Sequence, residues 1–303
     1  LSVGEPFDLI SDNFNIHMKK YLFSVVTVLI FGLFMQPFSS TAQSTSAKTF
    51  AIPSDLVDQI NRSSAIGRQL FLFDHAAAIG TNILRENVDE KDRKHLRGYL
   101  PQQESDSSGN PTGNFVVLFF TNETVPRIAY EVEVAQSAKP IFRAFYPAKS
   151  TSELVGNLIR ARQTAIDANP SYSQPINPIV LPGNLNNENG ILVYLIAGTK
   201  VPNVAVFGKH FRALVESDGS AIKYMTPLSY SEIEIPIQHK DSQKTPVALS
   251  ITQLVTDYPT ETHVFTSLLI HFPVYVVTRR GIWLVNGDKI SLIDDRVPGT
   301  GTH

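Results

Sequence analysis

Three groups of side chains in this sequence have the types and spacing to do chemistry. The first surrounds residues 261–271, where Glu261, His263, Ser267 and His271 recur within an apolar run. Thr262–His271 reads as a strand, so period-two alternation puts His263, Phe265, Ser267, Leu269 and His271 on one face. His263 could then act as a general base with Glu261 orienting it, the pairing a hydrolase needs. His263 and His271 would stand roughly 26 Å apart at about 3.3 Å per residue, too far to share a metal or a proton. The second group is His210 and Arg212, on one face of a hairpin with Leu214 and Glu216. Imidazolium and guanidinium both donate to carboxylate or phosphate, which makes the pair candidate ligand-binding residues and His210 a second candidate base. The plainer reading is a solvent-facing strand of mixed charge. The third group is Asp74-His75, inside an otherwise apolar helical stretch. A carboxylate there needs a partner, so a hydrogen bond to a neighbouring loop is expected, with ligand binding as the alternative.

Composition limits what these groups can be asked to do. Of 303 residues, 26 are Lys or Arg and 28 are Asp or Glu, so bulk basic charge for nucleic-acid binding is absent. No basic–aromatic interleaving of the kind that stacks single strands is found. The chain has no cysteine, which excludes disulfides, a thiolate nucleophile, cysteine-ligated zinc and iron–sulfur clusters. Signature motifs are missing too. There is no dinucleotide glycine fingerprint, no His-Glu-x-x-His, no Gly-x-Ser-x-Gly and no calcium loop. Gly208-Lys209-His210 lacks the upstream glycine and the Ser/Thr of a phosphate loop. No cofactor and no metal site is expected.

The sharpest pattern is an address. Met18-Lys19-Lys20 precedes an apolar stretch from Tyr21 to Met35, followed by Pro37 and the small residues Ser39-Ser40-Thr41-Ala42. This is the layout of a secretory signal peptide, with cleavage expected after Ala42. The stretch is shorter than the about 20 residues a spanning helix needs, so no membrane attachment is expected after cleavage. Residues 1–17 carry Glu5, Asp8 and Asp12 and no basic residue. They read as an over-extended gene model, with translation starting at Met18. Export follows, to the periplasm or the medium.

Residues 43–52 read as a flexible leader and 53–296 as a single α+β domain, with 297–303 a disordered tail. Ser54 or Asp55 caps a first helix, Gly67 interrupts it, and a second helix runs from about Arg68 to Asn87. Glu86 to Arg97 reads as a solvated surface and Leu100 to Gly113 as a loop. Strands follow at Phe115–Thr121, Arg127–Val134 and Ile141–Tyr146. Ser150 or Thr151 caps a helix with Leu154, Leu158, Ile159, Ala161, Ala165 and Ile166 inside and Arg160 and Arg162 outside. Residues 169–190, rich in Pro and Gly, form either a connection or a boundary between lobes. Strands then fall at Ile191–Ala197, at a hairpin turning on Asp218-Gly219, and at Val274–Thr278, Ile282–Val285 and Lys289–Ile293. Asp218-Gly219 and Asn286-Gly287 both carry the type I′ turn signature. The expected architecture is antiparallel meanders with the N-terminal and central helices packed on one face. Gly281–Ile290 looks like one propeller blade edge, but occurs once where propellers repeat.

Several segments resemble a family of uncharacterised exported bacterial proteins with no established activity. They are 71–78 (Phe71-Leu-Phe-Asp-His-Ala-Ala-Ala78), 177–182, 193–197, 208–212 with the turn after it, and 260–265. The family pattern has a second glycine where this chain has Lys209. The resemblance implies bacterial export and one contiguous domain, and no catalytic residue comes with it. The function expected is a non-catalytic envelope or secreted domain that binds a small ligand or an envelope protein. The alternatives are an envelope hydrolase using a His/Glu pair, and a structural or assembly factor acting by strand addition.

Overall fold

The computed structural model describes residues 49–169, 175–182, 189–199, 201, 204–229, 232–237 and 248–296. The expected gene-model extension 1–17, the signal peptide 18–42, most of the leader and the tail from 297 lie outside the described residues.

A short 3₁₀ turn at Ser54–Leu56 leads into helix α1, Val57–Asn87. Gly67 does not break this helix as expected. It is the point where another helix crosses: a Cβ there would sit 2.5 Å from Val264 Cβ and 2.6 Å from the Glu261 carbonyl oxygen. The glycine is needed for close approach and its propensity cost, about 1 kcal/mol, is outweighed by packing. A four-residue helix α2, Glu90–Arg93, carries the exposed charges before the first sheet.

Strands β1 (Leu96–Ser105), β2 (Pro111–Thr121), β3 (Arg127–Val134) and β4 (Ile141–Ser150) form an antiparallel meander in sequence order. The loop expected at 100–113 shrinks to 106–110. Pro101, Gln102 and Gln103 pair with Val117, Val116 and Phe115, so cross-strand pairing overrides a turn-rich composition. The turn itself is held by Asp106 Oδ1, which accepts the Ser108 and Asn110 amides at 2.9 and 2.8 Å.

Helix α3, Glu153–Asp167, is capped by Ser152, whose hydroxyl accepts the Val155 amide. Its buried stripe is rotated from the expected one. Leu154 is exposed, and Arg162, expected outside, is 97% buried. A second antiparallel sheet has the order β5 (Ile176–Pro182), β6 (Ile191–Ala197), β8 (Phe211–Val215), β9 (Ile222–Pro227). β5 falls within the segment expected to connect or divide lobes. β7 (Val204–Gly208) pairs with β10 (Glu232–Pro236) as a separate ribbon. The third sheet is β11 (Leu249–Thr252), β12 (Val274–Thr278), β13 (Gly281–Asn286) and β14 (Lys289–Asp294). β11 joins β12 in parallel, the connection running through helix α4, Glu261–Ile270.

Helix α4 corrects the largest sequence expectation, the strand at Thr262–His271. A short run rich in Thr, Val, Phe and Ile fits a buried strand or a buried helix equally well by periodicity. The ends decide. Thr260 caps the helix, His263 accepts the Thr260 amide in place of the usual Glu or Gln of a capping box, and His271 closes it in the left-handed conformation at φ 57°. Most of its residues are buried, the polar Glu261, Thr262, His263, Thr266 and Ser267 together with Val264, Phe265 and Ile270, so this is a core helix whose polar side chains find partners inside.

Side chains of β2 divide two cores. Phe115, Val117 and Phe119 pack with α1 residues Leu70, Phe73 and Leu84. Leu118 and Phe120 pack with α3 residues Leu158, Ile159, Ala161 and Ala165. The α+β class and the antiparallel sheets agree with the sequence reading; the placement of the second helix differs, since α3 covers the face opposite α1. A third core, centred on Trp283, Val276 and Val285, takes Val264 and Ile270 from α4. Phe50 hydrogen-bonds its amide to the Leu292 carbonyl, bringing the first described segment beside β14.

Two turns differ from the expected type I′, which needs positive φ at both central residues. At 218–219 and at 286–288 only the glycines, Gly219 and Gly287, take positive φ. Among the described residues no helix is long and apolar enough to cross a membrane.

Candidate functional site

The first turn of α4 and the adjoining strand β8 bring His210, Arg212, Glu261 and His263 into one buried region. Tyr194, from the wholly buried strand β6, completes it. Arg212 Nη1 and the Tyr194 hydroxyl each donate to Glu261 Oε1 at 2.8 Å. Burial raises the Tyr194 phenol far above its usual range, and the Glu261 carboxylate beside it adds to that. Burial lowers the Arg212 guanidinium, yet Glu261 and Tyr194 more than compensate and it stays above its ordinary value. The result is a buried ion pair with a neutral phenol as third member.

Glu261 therefore faces Tyr194 and Arg212 and makes no hydrogen bond to either imidazole. His263 Nδ1 accepts the Thr260 amide at 3.1 Å and lies 2.9 Å from the Thr260 hydroxyl. A backbone N–H can only donate, so the network assigns the ring proton of neutral His263 to Nε2. Burial pushes this histidine down to about 4, against the opposing pull of Glu261. His210 sits in a similar bind. The Ala197 amide points at Nδ1 from 3.1 Å and the Gly208 amide at Nε2 from 3.3 Å. Burial, reinforced by neighbouring His263, pushes it down to about 4 as well. Neither ring is a charged anion receptor at neutral pH; one nitrogen of neutral His210 accepts a backbone amide and the other, which carries the proton, donates to the Val206 backbone.

His210 and His263 border a cavity of about 40 Å³, closed by Phe207, Leu228, Ser229 and Gln253 among others. Space of that size holds a water molecule or two. The Ser229 hydroxyl is buried there without a hydrogen-bond partner. His271 stands at the far end of α4, exposed; along a helix its eight-residue separation from His263 is about 12 Å, not 26 Å.

Asp74 and His75 lie elsewhere, on α1. Asp74 is buried and accepts a hydrogen bond from the Asn177 amide group, a strand residue where a loop partner was expected. Burial raises its carboxyl to about 6, opposed by that hydrogen bond. His75 stacks on Phe71 at 5.7 Å and is lowered by burial and by His271. Among the described residues no three His, Cys, Asp or Glu side chains are grouped to hold a metal ion.

Sequence reasoning missed Tyr194, Thr260, Asn177, Tyr99 and Arg162. Tyr194 had one signal: it is the sole polar tip in the run Ile191–Ala197, and a buried tyrosine hydroxyl usually finds a partner. Comparison with protein-family models, with curated proteins and with solved structures found no match.

Proposed function

We propose that this chain is an exported, non-catalytic binding domain that takes up an extended segment of a protein partner along β4. The observation that carries this reading is β4 itself, which among the described residues is hydrogen-bonded only to β3, in register at 141–144 before residues 145–148 bulge out around Pro147, and has no buried residue along its length. Ile141 and Tyr146 stand out on it as large exposed apolar side chains. The outer edge of residues 141–144 offers a short row of backbone donors and acceptors, which is how strand addition gains affinity, and the row ends at the bulge around Pro147, which has no N–H to donate. Export is supported by the Met18–Ala42 pattern.

The hydrolase alternative is the less supported one. A general base needs an open basic nitrogen, whereas His263 Nδ1 accepts a backbone amide and the His210 nitrogens are taken up by backbone amides and by the Val206 backbone. A small-molecule site at these histidines is also less supported, since ligand pockets run to about 300–1,000 Å³ and the cavity there has about 40 Å³.

The test is selection of extended peptides from a random display library on the chain beginning at Gln43, followed by amide NMR titration. The reading expects the largest shifts at 141–150 and loss of binding in an Ile141→Lys, Tyr146→Asp double variant. Peptides that shift the residues around His210 and His263 instead would overturn it. So would turnover in a hydrolase screen that disappears with His263→Ala.

A further inference from the structure

A line of four side chains crosses the molecule where the first two sheets meet. β1 and β5 lie alongside each other there, yet belong to separate hydrogen-bonded sheets. Side chains bridge the seam in place of a backbone ladder. The Tyr99 hydroxyl of β1 donates to Asn177 Oδ1 of β5 at 2.8 Å, and Asn177 Nδ2 donates to Asp74 Oδ1. On the opposite face the Arg162 guanidinium lies over the Tyr99 ring at 5.7 Å and over Phe120 at 5.9 Å. The line thus joins α1 on one face to α3 on the other through both edge strands.

Asp74 meets no cation along this line. Its hydrogen-bond partner is the neutral Asn177 amide, and Tyr99 beyond it is held in its neutral form by burial. Arg162 lies past Tyr99 and meets aromatic faces, with its Nε unpartnered. Arg97 is the other charge that bears on Arg162. Of the remaining elements packed on α1, strands β2, β3, β4 and β14 and helix α4 bring no charge that bears on Asp74. An ionised carboxylate in this position is buried against an amide alone, a costly arrangement in a low-dielectric seam.

We infer that Asp74 is a proton-operated latch on the β1–β5 seam, holding the two sheets together more firmly when it carries its proton. Ionisation strengthens the Asn177 bond itself but leaves a buried carboxylate with that one neutral donor, and the larger desolvation penalty favours opening of the contact between α1 and β5. Protonation removes the charge and leaves the Tyr99–Asn177–Asp74 line as three neutral partners.

The sign follows from burial raising the carboxyl from 3.8 to about 6. The contribution of Asp74 to stability is complete below 3.8 and is lost as pH rises through 6. A shift of this size corresponds to about a hundredfold in the folding equilibrium constant. His210 and His263, and His75 more weakly exposed to burial, respond in the opposite direction, so total stability does not isolate the latch.

The experiment therefore compares the chain with Asp74→Asn, which keeps the shape and stays neutral, from pH 4 to 7.5. The ratio of folding constants, variant over parent, is expected to rise about tenfold or more across this range. Amides of β1 and β5 in the parent should lose hydrogen-exchange protection above pH 6 relative to the variant. A ratio constant with pH would overturn the inference. Should the variant fail to fold, carbon-13 NMR of the parent reads the Asp74 carboxyl directly. Titration near 4, or near 6 with no change at Tyr99 and Asn177, would overturn it equally.

Discussion

Arg212 Nη1 donates to Glu261 Oε1 across 2.8 Å, tying strand β8 to the first turn of helix α4. The carboxylate is almost wholly buried, while the guanidinium keeps about a fifth of its surface exposed. Removing Arg212 leaves the Glu261 carboxylate buried with no compensating cation and the Tyr194 hydroxyl as its remaining donor. Arg212→Ala is expected to cost about 3 kcal/mol, toward the low end for a buried pair because Arg212 is partly solvated. The double change Arg212→Met, Glu261→Gln should recover a large part of that loss. Urea unfolding of the three variants reads the coupling directly, and an additive double variant would show that the pair does not act as one unit.

The two buried histidines make the fold sensitive to acid. Both are pushed from 6.5 down to about 4 by burial, so their contribution is present above pH 6.5 and lost as pH falls through about 4. Each stands to remove up to about 3 kcal/mol on full protonation, an amount set by the shift between folded and unfolded states. Imidazole NMR signals should titrate near 4 in the folded chain. Signals titrating near 6.5 would show that burial does not govern them.

At Gly67 the helices α1 and α4 touch through backbone. Gly67→Ala places a methyl against Val264 Cβ and the Glu261 carbonyl, and a carbonyl cannot rotate aside. Overpacking of this kind costs about 1–3 kcal/mol and exceeds the helix-propensity gain of about 1 kcal/mol from alanine. A lowered thermal midpoint is expected; a raised one would mean that the helices separate freely.

Tyr146 provides the contrast. It is fully exposed at the free edge of β4, so Tyr146→Ser should leave stability within about 0.5 kcal/mol of the parent. A larger loss in denaturant unfolding would mean that the residue supports the sheet, and would remove it as a clean probe of partner binding.

Much of the architecture can be read from the residues. Arg127–Val134 has the observed bounds of β3, its alternation interrupted by a register shift at 128–130, and the continuous apolar run Ile191–Ala197 is β6 with every residue buried. What failed has identifiable causes. Local composition made a loop of Pro101-Gln102-Gln103, whose strand state depends on β2, a partner more than ten residues away. Val264 and Phe265 look like strand residues until Thr260 and His271 are recognised as the two caps of a helix. Arg162 was placed outside because a charged residue was assumed to seek water, whereas the rings of Tyr99 and Phe120 accommodate it. At the candidate site, His210, Glu261 and His263 are legible as candidate residues of two separate groups, and that they share a region is seen only in the structure. Of their partners, Thr260 stands at local capping-box spacing from His263, whereas Tyr194 and the Ala197 amide act through long-range geometry that no local spacing encodes.

The bond from Phe50 to Leu292 has a topological consequence. Segments at opposite extremes of the described polypeptide run side by side, so a short glycine–serine bridge can splice them. New ends can then be opened in the exposed hairpin tip at 106–110. The order of elements along the chain would change while their neighbours stayed the same, and a circular permutant cut there should reach the same native state.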